Sequence, residues 1–134
     1  MLKIDENGYT FDFSRTLTLT KEDVDDIMST ALEGDITSEW AYKVEPTSGH
    51  YLGKYASEQI SRGGALRFYV YDDSKKYILD LDKLIEGVQR ALSRGYGADW
   101  FNESGTKFDP SIRFDSVQAD IVMQFALFGE IVYS

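Results

Sequence analysis

Residues Asp115-Ser-Val-Gln-Ala-Asp-Ile-Val-Met-Gln-Phe-Ala-Leu-Phe-Gly129 decide the architecture, because between a capping aspartate and a stop glycine the run is apolar on nearly every side of a helix. Val117, Ile121, Val122, Met123, Phe125, Ala126, Leu127 and Phe128 leave no broad polar face to present to water. Such a helix must be surrounded, so the segment predicts a central, buried element with the rest of the chain packed around it. The alternating residues that follow, Glu130 to Tyr133, read as a closing strand.

Working back from that helix, two more carry the same punctuation. Thr20 stands as an N-cap with Asp23 three residues on, and Val24, Ile27, Met28, Ala31 and Leu32 follow the spacing of one helical face, closed by Gly34 as a left-handed C′ residue. Asp80 opens the second, which runs through Leu84, Ile85, Val88, Ala91 and Leu92 to Gly95. Each is preceded by strand signals. Asn7-Gly8 lies between alternating runs and predicts a two-residue turn in which Glu6 faces Tyr9, Ile4 faces Phe11 and Leu2 faces Phe13. Leu66, Phe68 and Val70 face Tyr77, Leu79 and Leu81 across Asp72-Asp73-Ser74, and Trp40, Tyr42 and Val44 alternate as a further strand. The strand-then-helix pattern recurs at an offset of 60, Leu19 matching Leu79 and Thr20 matching Asp80. Capped amphipathic helices align in this way without a shared origin, so the match does not establish a duplication. Tyr96 to Ser111 reads as a long loop whose Trp100, Phe101 and Phe108 fold back on the core. The expected fold is α+β, an antiparallel sheet of hairpins with three main helices, in one domain over residues 1–134.

Composition narrows the function. With 43% hydrophobic and 28% charged residues the chain suits a single globular core, and zero cysteines exclude thiol catalysis, disulfides and thiolate metal sites. The opening MLKIDENG has no apolar signal core, which points to the cytoplasm. The formal net charge of −9 is uneven: residues 1–45 hold eleven acids against four bases, residues 46–94 six against eight, residues 95–134 six against two. That field opposes nucleic acid and anionic membranes and favours a basic partner.

No catalytic or metal motif stands up to its own chemistry. Ser61-Arg62-Gly63-Gly64 lacks the spacing and lysine of a phosphate loop, and its glycines follow the helical turns Tyr55 to Arg62, where carbonyls rather than N–H groups point outward. It reads as helix termination with Gly63 left-handed. His50 is the only histidine and sits in a Ser/Gly turn, a poor setting for a triad. Asp72-Asp73 and Asp80-Leu-Asp82 are explained by a turn and a cap, so no metal or cofactor is expected. Arg62, Arg67, Lys75, Lys76, Lys83, Arg90 and Arg94, with Phe68, Tyr69 and Tyr71, faintly resemble a single-strand-binding sheet, a reading the net charge opposes. More suggestive is the strand face carrying Arg67, Tyr69 and Tyr71, residue types favoured at protein interfaces unless a helix covers them.

The segments Tyr51–Gly64 (YLGKYASEQISRGG), Leu79–Leu84 (LDLDKL) and Asp120–Val132 (DIVMQFALFGEIV) resemble small acidic proteins carried on prophages and integrative elements of Gram-positive bacteria. The likeness spans most of the chain from Leu17 onward, and it transfers no functional residue. It implies a setting rich in small accessory and anti-defence proteins, CRISPR inhibitors among them. The expectation is therefore a non-enzymatic accessory protein that binds a host protein, such as a nucleic-acid-binding defence protein, through Glu22, Asp25, Asp26, Glu33 and Asp35, with Arg67, Tyr69 and Tyr71 as a second contact. The alternative is a small enzyme or ligand-binding domain using Gly95–Ser111 as a lid.

Overall fold

The computed structural model describes residues 2–12, 16–101, 107–109 and 114–133, and within them the same order of elements occurs twice. Strands β1 (Lys3–Asp5), β2 (Gly8–Asp12) and β3 (Thr16–Leu19) form an antiparallel meander that leads into α1 (Lys21–Glu33). After the short α2 (Asp35–Ser38), strands β4 (Ala41–Pro46), β5 (Leu66–Val70) and β6 (Lys76–Leu79) form a second meander leading into α3 (Leu81–Ser93). The fold is α+β. The expected central helix is α4 (Ser116–Phe128), which packs on α1, α2, α3 and β6.

Capping chemistry sets the helix starts. Thr20 accepts from the Asp23 N–H at 3.0 Å while its own N–H donates to Asp23 Oδ2 at 2.8 Å, a reciprocal box. Asp80 accepts from the Lys83 N–H and Asp115 from that of Gln118. The α1 stripe buries Val24, Ile27, Met28 and Ala31, and α3 buries Leu84, Ile85, Val88 and Ala91, as their spacing requires.

The first hairpin differs from its expected register. Ile4 pairs with Tyr9 and Lys3 with Thr10, so the turn is centred on Glu6-Asn7. Asp5 Oδ1 accepts the Asn7 N–H at 2.7 Å, which bends the chain one residue early, and Gly8 enters β2 at φ +127°. There a Cβ would meet the Leu19 carbonyl oxygen at 2.5 Å, so the glycine serves close approach to β3. The shift of two residues leaves side-chain faces unchanged, and Tyr9 and Phe11 pair with Leu19 and Leu17 in the core. Phe13 lies outside the described residues. The second hairpin is also shifted by two residues: Leu66 lies opposite Leu79 and Phe68 opposite Tyr77, where the expected pairing set Leu66 against Leu81 and Phe68 against Leu79, and Leu81 is already in α3.

Two other expectations are corrected. Gly34 is extended (φ −81°, ψ 157°), and its missing side chain makes room for Ser116, whose Cβ would lie 2.6 Å from an added methyl. Residues 130–133 form no strand because Gln124 replaces one: its Oε1 accepts the N–H groups of Val132 and Tyr133, each at 2.8 Å, and its Nε2 donates to the Tyr133 carbonyl at 2.8 Å. The Tyr55–Arg62 turns begin as a 3-10 turn at Ala56–Glu58 and end as foreseen. Gly63 has φ +90°, its N–H donates to the Ile60 carbonyl and that of Gly64 to the Gln59 carbonyl, the paired bonds of a Schellman terminus.

Between α3 and α4 the determining residue is Gly87, where an added Cβ would lie 2.7 Å from Ala126 Cβ and 2.8 Å from the Val122 carbonyl oxygen. Trp100, Phe101 and Phe108 are folded into the core, Trp100 edge-on to Phe114 at 5.5 Å with its indole N–H on Gln118. Among the described residues no helix is long and apolar enough to cross a membrane.

These two glycines separate two kinds of constraint. Gly87→Val should destabilise by about 1–3 kcal/mol through overpacking of the α3–α4 contact. Gly63→Val, with nothing within 4 Å of the added Cβ, should cost about 1–2 kcal/mol through backbone strain alone. Urea unfolding of both variants checks this.

Candidate functional site

The outward face of the second sheet is built by strand alternation. Leu66, Phe68 and Val70 point into the core, which turns Arg67 and Tyr69 outward. Register then assembles two cross-strand rows, Lys43–Tyr69–Lys76 and Glu45–Arg67–Ile78. A bulge between Ala41 and Lys43 breaks the Trp40–Tyr42–Val44 alternation: Trp40 is buried and Tyr42 is 54% exposed. The bulge brings the Tyr42 ring to 5.8 Å from Tyr69 and 5.2 Å from Tyr71, which is 64% exposed. No described helix covers this face, so Arg67, Tyr69 and Tyr71 are brought together in the open, joined by Tyr42.

Glu45 organises the cluster. It accepts from the Tyr69 hydroxyl in a short hydrogen bond, from Arg67 Nη1 at 3.2 Å, and pairs with Lys43 Nζ at 3.3 Å. The Tyr69 hydrogen bond, ahead of the two cations, holds its carboxyl below the usual glutamate range. Lys43 and Lys76 place their ammonium groups 5.1 and 5.4 Å from the Tyr69 ring centre, and among the described residues Lys76 pairs with no carboxylate. Three cations therefore face one acid on a chain of net charge −9.

The acidic residues of the first helix do not act as one surface. Glu22, Asp26, Glu33 and Asp35 are exposed, with the Asp26 carboxyl raised by partial burial first and by Asp23, Asp25 and Glu22 next. Asp25 is half-buried and accepts from Ser61 Oγ at 2.5 Å, tying α1 to the Schellman turn, where the Tyr9 hydroxyl also donates to the Ser61 carbonyl at 3.1 Å. Replacing Asp25 would therefore disturb the fold as well as any surface it contributes to. His50 is exposed, and the neighbouring Ser48 hydroxyl bonds its backbone carbonyl, giving no nucleophile–base pair. No group of three or more potential ligands able to hold a metal occurs among the described residues.

Sequence reasoning missed the buried polar centre. Asp120, 5% exposed, accepts from Thr37 Oγ1 at 2.9 Å and Trp40 Nε1 at 2.7 Å through Oδ1, and from Gln124 Nε2 at 2.7 Å through Oδ2. The signal was present: two polar residues four apart in an otherwise apolar helix. Beside them α4, α2 and the C-terminal tail enclose a cleft of about 590 Å³. Of the Gly95–Ser111 lid, 102–106 and 110–111 lie outside the described residues. Of the rest, Trp100, Phe101 and Phe108 are buried in the core, Ala98, Asp99 and Lys107 are exposed, and Tyr96 lines the cleft.

No family model, curated protein or solved structure matches the chain, so its own geometry carries the functional reading.

The tyrosines give a pH dependence with a definite sign. Tyr9 is raised by burial and then by Asp25, Tyr77 by its hydrogen bond to Asp73 and then by burial, and Tyr133 by burial and then by Asp72 and Asp73. Each folded pKa stands above the unfolded value of about 10, so the folded state binds more protons in that window. Stability from these groups is complete below about pH 10 and is lost as pH rises through the folded values. Urea unfolding at rising alkaline pH should show this decline, shallower in Tyr9→Phe.

Proposed function

We propose that this chain is a non-enzymatic accessory protein of the mobile-element kind that binds a host protein through the outward face of its second sheet. One observation supports the reading above others: Tyr42, Tyr69 and Tyr71 cluster on a sheet face that no described helix covers, with Arg67 and two lysines among them. Tyrosine and arginine dominate binding hot spots because they offer large contact area at low conformational cost. Glu45 fixes Tyr69 and Arg67 before any partner arrives, which lowers the ordering cost of association.

The acids of α1 enter as a field. Glu22, Asp26 and Glu33 would steer a basic partner toward the protein, and a nucleic-acid-binding defence protein is the partner class that the resemblance and the net charge of −9 favour. Contact and steering then separate by kinetics.

Capture from a host lysate supplies the partner, and binding rates measure the two surfaces. Tyr42→Ala with Tyr71→Ala should weaken affinity at least tenfold, about 1.4 kcal/mol, mainly by faster dissociation. Glu22→Lys, Asp26→Lys and Glu33→Lys together should slow association and flatten its salt dependence. A partner held equally by wild type and the tyrosine variant would overturn the reading, and tight capture of a single-stranded oligonucleotide by the same face would replace it.

A further inference from the structure

The cleft beside Asp120 has a chemistry that the proposed partner surface does not use. One stripe of α4, Val117, Asp120, Ile121 and Gln124, forms part of its wall, and Trp40, Tyr96 and Tyr133 supply aromatic sides. This is where a helix apolar all round is left uncovered: Val117 is 48% exposed and Ile121 half-buried. The volume of about 590 Å³ falls within the range of small-molecule sites.

Its electrostatics are one-sided. The three donors to Asp120 are neutral, and among the described residues no lysine or arginine pairs with it. They occupy three of roughly four acceptor positions of a carboxylate, which leaves capacity for one further donor. Glu39, exposed on α2's C-terminal side, is the second acid lining the cleft, and no basic residue lines it among the described residues. Buried acids are ordinarily compensated by a cation, and aromatic rings favour one too.

We infer that the cleft binds an organic ammonium group, the charge directed to Asp120 and Glu39 and its apolar body lying against Trp40, Tyr96 and Ile121. The same group could be presented by a free amine or by a lysine side chain of a partner. Benzylamine, its neutral isostere benzyl alcohol and a capped lysine, Nα-acetyl-lysine methylamide, serve as probes of the full chain. The readout is the set of Trp40 indole and Gln124 side-chain amide resonances, with the Trp100 indole as an internal reference.

Benzylamine should shift the first two saturably, leave Trp100 in place, and bind at least tenfold more tightly than benzyl alcohol. Glu39→Gln, at an exposed position that leaves the fold intact, should narrow that preference, and Asp120→Asn should remove it wherever the variant folds. Tighter binding of the capped lysine would support the ammonium site and give its source as a protein side chain. Equal binding of amine and alcohol, absence of any Trp40 shift at millimolar amine, or a preference unchanged in Glu39→Gln would overturn the inference.

Discussion

The carboxyl group of Asp120 is the constraint on which the lower half of the structure depends. It takes one hydrogen bond from α2 through Thr37, one from the approach to β4 through Trp40, and one from Gln124 in its own helix. Gln124 then holds the C-terminal tail by three more. Two stretches distant in sequence, residues 37–40 and 120–133, are joined by two polar side chains four residues apart. In a low-dielectric interior such bonds specify geometry strongly, since leaving any one donor unmet costs about 1–3 kcal/mol. No buried side-chain polar atom is left without a partner among the described residues. Trp40, fixed at one edge by Asp120, becomes the aromatic hub: Tyr133 stacks on it at 5.7 Å and Phe128 meets it edge-on at 5.2 Å.

The two meander-and-helix units pose a packing problem that α4 resolves. A three-stranded sheet with one helix leaves apolar surface that a single unit of this size cannot cover. Helix α4 lies against α1 from the first unit and against both α3 and β6 from the second, so its lack of a polar face follows from having neighbours of both origins. Gly87 sets how near α3 can come. Gly34 does the same where α1 meets the start of α4.

Much of this was legible in the sequence. Three caps, two helical stripes and the Gly63 terminus were read correctly because each depends on residues within a few positions of one another. What failed depended on contacts across the chain. Asn7-Gly8 signals a turn at its own position, yet Gly8 is needed against Leu19, and the turn moves to Glu6-Asn7. The tail alternates like a strand, but Gln124 occupies its backbone groups first. At the candidate site, alternation placed Arg67 and Tyr69 together on the outward face. Tyr42 joined them only through a bulge that no local pattern announced. Asp25 looked like any other exposed acid because its partner, Ser61, lies 36 residues away.

The same carboxyl chemistry is used in two opposite ways, and the contrast explains why one face is a platform and the other a cleft. Glu45 lies at the surface surrounded by its own cations, so Lys43 and Arg67 satisfy it and it in turn fixes Tyr69 and Arg67. Its carboxyl is held below the usual range, first by the Tyr69 hydroxyl, and so it stays ionised into mild acid. A platform of that kind arrives complete, with the exposed Tyr42 and Tyr71 rings in contact with each other and Lys76 lying over Tyr69. Asp120 is buried among neutral donors, with no cation beside it among the described residues and with space at its side. One acid is compensated by cations on neighbouring strands and fixes an exposed face, whereas the other is held by neutral donors at the edge of a cleft.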